Sequence, residues 1–169
     1  MENNEVTATV SIITGSESDL DLAKQCGQVL LSLSIDHTIK VFSAHRTPDL
    51  LKNYLDEAET GGTKIYIAIA GLAAHLAGAI AAITTKPVIG VPAENGPMQG
   101  LDALLSTVQM PKGVPVATVA IGSAGATNAG YLAAQILSLE SKEIFKAVNK
   151  VRKKNKQLVI DANKKLLKN

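Results

Sequence analysis

The feature that most restricts this chain is an alternation. Five short runs rich in Val, Ile, Ala and Thr are each followed by a turn bearing Gly or Ser and then by a longer stretch with helical spacing. The runs span residues 6–13, 35–42, 65–70, 87–91 and 115–121, and runs of this kind bounded by turn residues read as strands. The third, Ile65 to Ala70, is apolar enough to be buried on both faces. A helix is expected from about Ser18, with Asp19 and Asp21 in its first turn and Leu22, Cys26, Val29, Leu30 and Leu33 at helical spacing. Thr47-Pro48-Asp49 reads as a second start, with Thr as N-cap, Pro at the first helical position and an acid beside the dipole. That helix stops at Gly61-Gly62. Further helices are expected to about Thr84, over about 101–109 and 125–139, and from about Ser141 onward, where Ile144, Val148 and Val151 are apolar positions in a basic background. Strands alternating with helices require a parallel sheet covered on both faces through right-handed crossovers.

With 169 residues the chain suits one domain, with an α/β core over about 6–139 and a basic helical arm over about 141–169. Its 46% hydrophobic and 19% charged residues suit a packed globule. No Trp, 3 Tyr and 2 Phe supply little for stacking on bases, so nucleic acid is not expected as a partner. The single cysteine, Cys26, excludes an internal disulfide and agrees with a reducing compartment. The acidic start has no signal-peptide pattern, and the uncharged run from Ile65 to Thr85 is broken by Gly71, His75 and Gly78. It reads as a buried strand and helix, so a cytoplasmic protein without a membrane partner is expected. Charge is uneven: residues 142–169 hold ten bases against two acids, and the remainder seven against thirteen. The arm reads as a solvated helix face, or as one that lies on the acidic body of a neighbouring subunit.

In an open parallel sheet, ligands bind outside the carboxyl ends of the strands. The unusual residues of this chain fall in those turns. They are Gly15-Ser16-Glu17-Ser18-Asp19, Ser43-Ala44-His45-Arg46-Thr47-Pro48, Ala70-Gly71-Leu72-Ala73-Ala74-His75, residues 92–100 and Gly122 to Asn128. Several turns open a helix with Gly or Ser, leaving backbone N–H groups and a positive dipole end for an anion such as a phosphate. They match neither the Gly-Lys-Ser/Thr of a nucleoside triphosphate loop nor the Gly-x-Gly-x-x-Gly dinucleotide pattern.

His45 can move a proton near neutrality while Arg46 holds a phosphate or carboxylate, although a capping or surface role fits the pair alone equally well. His75, at an Ala-rich helix start, reads as a hydrogen-bonded core or interface residue, and His37 as an ordinary strand residue. Ser16 and Ser18 read as hydrogen-bonding groups, because Gly-Ser-Glu-Ser-Asp is not a Gly-x-Ser-x-Gly nucleophile turn. Asp19 can serve the helix dipole or accept from ligand hydroxyls or an amine. No Cys/His/carboxylate cluster has metal-ligand spacing, so no metal is expected.

Together these turns resemble the N5-carboxyaminoimidazole ribonucleotide mutase family of purine biosynthesis, in its bacterial-type class. The matching stretches are Gly-Ser-Glu-Ser-Asp at 15–19, Ser-Ala-His-Arg-Thr-Pro at 43–48, Ala-Gly-Leu-Ala-Ala-His-Leu at 70–76, Val-Gln-Met-Pro-Lys-Gly at 108–113 and Ala-Ile-Gly-Ser-Ala-Gly-Ala-Thr-Asn-Ala at 120–129. The resemblance implies a flavodoxin-like three-layer α/β/α sandwich with a C-terminal helical arm, assembled as a homo-octamer. It implies a rearrangement without cofactors, in which a carboxyl group leaves the exocyclic nitrogen of an aminoimidazole ribonucleotide and is reattached at ring carbon 4. His45 would be the general acid and base. Ser16, Ser18, Asp19, Ser43 and Arg46 would contact the nucleotide, Arg46 at the phosphate and Asp19 at the ribose hydroxyls. Ala70, Gly71 and Leu76 would shape the pocket, with Gly71 allowing close backbone approach and His75 in support.

Two departures stand out. The family commonly has Gly where this chain has Leu72, and a Leu resists positive φ, which leaves the local backbone there open. The loop Ala93-Glu94-Asn95-Gly96-Pro97-Met98 also differs, and Glu94 is expected to bring a charge near the mouth. The alternatives are a direct carboxylase of aminoimidazole ribonucleotide and a flavodoxin-like module for FMN or another phosphate ligand. Scarce aromatic residues argue against the flavin.

Overall fold

The computed structural model describes residues 8–166. Five parallel strands, β1 (Val10–Thr14), β2 (His37–Val41), β3 (Ile65–Ala70), β4 (Val88–Pro92) and β5 (Ala117–Thr118), form one sheet in the order β2-β1-β3-β4-β5. Helices α1 (Leu20–Ser32), α2 (Pro48–Thr60), α3 (Leu76–Ala81), α4 (Leu101–Val108) and α5 (Gly122–Leu137) follow the strands in turn, and α6 (Lys142–Leu166) closes the chain. This strand order is that of the flavodoxin-like doubly wound fold. Val6 and Thr7, expected to open the first strand, lie outside the described residues.

The period of two along each strand sorts the sheet into two cores. Val10, Ile12, Ile65, Ile67, Ile69, Ile89 and Val91 pack with Ala23, Cys26 and Leu30 of α1 and with Ala126, Ala129, Ala133 and Ala134 of α5. Ile13, Tyr66, Ala68 and Val88 pack instead with Leu51, Leu55 and Ala58 of α2 and Leu76, Ala77 and Ile80 of α3. Each large aliphatic side chain buried this way contributes ~1.5–3 kcal/mol. Gly130 lets α5 approach α1, because a Cβ there would lie 2.9 Å from Val29 Cβ. Burial pushes the Cys26 thiol up from 9.0 to about 12, which makes it an inert core group. No described helix is long and apolar enough to cross a membrane.

Several expected boundaries move for identifiable reasons. The fifth strand, an edge beside β4, shrinks to two residues, and Pro115 at its expected start brings no N–H. The helix after β3 shrinks to six, because Leu72 at φ 55° takes the chain out of the helical region before α3 can start. In contrast, α5 begins early, so Gly122-Ser123-Ala124 forms its first turn. Thr47 stands at the N-cap position of α2 but makes no side-chain cap there, since its hydroxyl is engaged with Ser43. In α6, Val148 is buried against the core and Ile144, Ala147 and Val151 pack around it, so the first half of the arm lies on its own α5 layer.

Candidate active site

The register sets the site. Thr14 is level with both Val41 and Ile69, and Ile69 with Val91, so four strands release their turns at one edge of the sheet. Over that edge lies a cavity of about 500 Å³, a size suited to a nucleotide-scale ligand.

The turn after β2 is closed on itself. Thr47 Oγ1 accepts from the Ser43 N–H at 2.9 Å and donates to the Ser43 carbonyl at 3.2 Å, while the Thr47 N–H donates to the same carbonyl at 3.0 Å. Ser43 Oγ accepts from the N–H groups of His45 at 3.3 Å and Arg46 at 3.1 Å. This small knot fixes the backbone from which both functional side chains project. The Arg46 guanidinium donates to the Gly15 carbonyl at 3.1 Å, which ties the second turn to the first.

After β1 comes a single 3-10 turn, Glu17–Asp19. Ser16 Oγ and Ser18 Oγ share a hydrogen bond of 2.6 Å, and Ser18 Oγ donates to Asp19 Oδ1 at 3.2 Å. Asp19 is 4% exposed, yet it lines the cavity.

His75 stands just before α3, and its Nδ1 lies 2.7 Å from His45 Nε2, with the rings edge to face at 4.9 Å between centroids. One hydrogen between these two nitrogens makes one ring donor and the other acceptor, so each sets the tautomer of its partner. Neither His45 Nδ1 nor His75 Nε2 has a protein partner among the described residues, which leaves a nitrogen on each ring to exchange a proton. A pair of this kind can deliver a proton and take one back.

All ten residues singled out from the sequence line this one cavity: Ser16, Ser18, Asp19, Ser43, His45, Arg46, Ala70, Gly71, His75 and Leu76. Of the expected hydrogen-bonded core or interface residue at His75, the core half is corrected: the side chain is exposed, and its hydrogen bond is with His45. Leu72 retains the positive φ that a Gly would take, and it also lines the cavity. At Gly71 the close approach is made by the β4 turn, where an added Cβ would meet Asn95 Cβ at 3.1 Å. Asn95 is the polar residue that sequence reasoning missed: it lines the cavity and its amide donates to Asp19 Oδ1. The signal available was an Asn-Gly pair directly after a strand whose partners carried the other turns. Glu94, expected at the mouth, lies instead over the start of α5, where a Cβ on Gly122 would stand 2.8 Å from its carboxyl carbon. A helix N-terminus attracts such a charge. Residues 108–113 and 120–129 line no part of this cavity. No cluster of three or more His, Cys, Asp or Glu among the described residues is arranged to hold a metal.

A parallel α/β sheet with a paired histidine, an arginine and a buried carboxylate over one edge is an arrangement suited to moving protons on a small anionic ligand. The model of the AIR carboxylase family matches residues 9–158, and the chain belongs to that family. It is 49% identical to the N5-carboxyaminoimidazole ribonucleotide mutase of Bacillus subtilis strain 168, over 94% of this chain and 98% of that protein. It is 45% identical to the mutase of the same name from Escherichia coli K12, over 95% of each. Among solved structures, the crystal structure of Treponema denticola PurE superposes with a TM-score of 0.86 at 33% identity, covering 93% of this chain and 97% of that one.

Proposed function

We propose that this protein is an isomerase that converts N5-carboxyaminoimidazole ribonucleotide to the 4-carboxy isomer in purine biosynthesis. The observation that carries the reading is the convergence of His45, Arg46 and Asp19, from two separate turns, on one cavity together with His75. In the first half-reaction the N–C bond of the carbamate breaks, carbon dioxide is released, and His45 protonates the departing nitrogen. In the second, ring carbon 4 attacks the retained carbon dioxide and His45 removes the ring proton. Atoms and protons balance within the substrate, so no oxidant, reductant or energy source enters the step.

Arg46 holds the phosphate and Asp19 the ribose hydroxyls, with Ser16, Ser18 and Ser43 as further contacts to the nucleotide. Ala70, Gly71 and Leu76 form the wall that keeps carbon dioxide beside the ring, where proximity replaces a bimolecular encounter. His75 orients His45. The whole chain is one mutase domain, working in the cytoplasm as a homo-octamer. Assembly is supported by α4, which turns Leu101, Leu105 and Val108, each about half exposed, along one face.

The test is to mix the protein with N5-carboxyaminoimidazole ribonucleotide, without ATP, metal or added bicarbonate, and follow the 4-carboxy product. Rapid conversion is expected. Product that forms only from aminoimidazole ribonucleotide and bicarbonate would make the protein a carboxylase instead.

A further inference from the structure

The buried carboxylate of Asp19 is held asymmetrically. Oδ1 accepts from both Asn95 Nδ2 and Ser18 Oγ, whereas Oδ2 receives no hydrogen bond among the described residues although Asp19 lines the cavity. Against a carboxylate the Asn95 amide must present its nitrogen, so the direction of this bond is set by the chemistry of its acceptor. Asn95 comes from the turn after β4, far from Asp19 in sequence, and something must hold that turn in place.

Leu72 does so. It occupies the left-handed region at φ 55°, which L side chains adopt rarely, and its Cδ2 would lie 2.4 Å from a Cβ on Gly96. The missing side chain of Gly96 is therefore the seat of Leu72. Gly71 makes room for Asn95 in the same way, and the Ala93 N–H donates to the Ala70 carbonyl at 2.8 Å. Three contacts thus clamp the β3 turn to the β4 turn with Asn95 between them.

We propose that Asn95 is a positioning residue: it fixes one oxygen of Asp19 so that the other faces the ribose hydroxyls, and Leu72 seated on Gly96 keeps Asn95 in place. The inference rests on the mutase reading, which supplies the ribonucleotide. Without Asn95 only Ser18 Oγ, at 3.2 Å, would hold Oδ1, and the carboxylate would turn more freely and lose its directional acceptor, while the phosphate grip at Arg46 would stay as it is. Asn95 therefore acts on discrimination between ribose and its deoxygenated forms.

The experiment compares binding of aminoimidazole ribonucleotide with that of its 2′,3′-dideoxy analogue by calorimetry. The native protein is expected to prefer the ribonucleotide by about tenfold or more, the usual scale for hydrogen bonds to a charged group. In Asn95→Ala the preference falls to within about threefold, with the analogue bound as tightly as before. Leu72→Gly, which suits the backbone and removes the clamp, lowers the preference in the same direction. Asn95→Asp sets two carboxylates against each other in place of the amide bond and likewise lowers the preference for ribose. An unchanged preference in Asn95→Ala, or equal weakening of both ligands, overturns the inference, as does an unchanged preference in Asn95→Asp. A native protein that isomerises the carbamate but binds both ligands alike overturns the role of Asn95 and leaves the mutase reading standing; one that neither isomerises nor binds overturns that reading itself.

Discussion

The two halves of the sheet differ in what they do with their family-like residues. On the β2-β1-β3 side, strands of five or six residues hold three turns in a mesh of hydrogen bonds, and almost every distinctive side chain lines one cavity. On the β4-β5 side, the edge strand has two residues, α4 exposes an apolar face, and the stretches 108–113 and 120–129 line no part of that cavity. Resemblance therefore has two sources in this chain. One half gathers its distinctive side chains on one cavity. The other packs closely at Gly125 and leaves the apolar face of α4 exposed.

The comparison breaks most visibly at Gly125. A Cβ there would stand 1.7 Å from the Ala120 carbonyl oxygen, so Gly125→Ala must displace backbone at the start of α5. It is expected to lose about 3 kcal/mol or more of stability in urea denaturation, at the upper end of overpacking costs. A variant within about 0.5 kcal/mol of the native protein would mean that α5 is not seated this tightly. Leu105→Lys sharpens the surface side: the chain stays folded, with a circular dichroism melt close to native, while light scattering shifts from an assembly to smaller species. An unchanged mass would remove α4 from the interface. The smallest effect belongs to Thr14 at the end of β1, whose buried hydroxyl has no hydrogen-bond partner among the described residues. Thr14→Val keeps the shape and removes the unsatisfied group, so it is expected to be neutral or to stabilise by about 1 kcal/mol. A loss of that size would reveal a partner for the hydroxyl.

The legible parts of the sequence were those where one local rule decides. Ile65 to Ala70 is apolar throughout and is a strand with those limits, and Gly61 ends α2 as expected. That these ten residues share one cavity was legible because the carboxyl-edge rule and the family motifs select the same turns. What escaped required knowledge of contacts between turns. Leu72 holds a positive φ because Gly96, more than twenty residues away, leaves space for its side chain. His75 carries apolar neighbours in sequence and therefore reads as a core or interface residue, but its hydrogen-bond partner is a ring from another strand's turn. Glu94 is drawn to a helix start whose position depends on the fold of α5. Asn95 became visible only when Asp19 was seen beneath it.

The central claim is that proton transfer at His45 drives the rearrangement. The most direct measurement is turnover of N5-carboxyaminoimidazole ribonucleotide by His45→Asn, with folding and assembly checked on the same sample. A loss of about two orders of magnitude or more in kcat, in a protein that melts and assembles like the native one, is the expected result. Turnover close to the native rate would contradict the account and remove His45 from the mechanism.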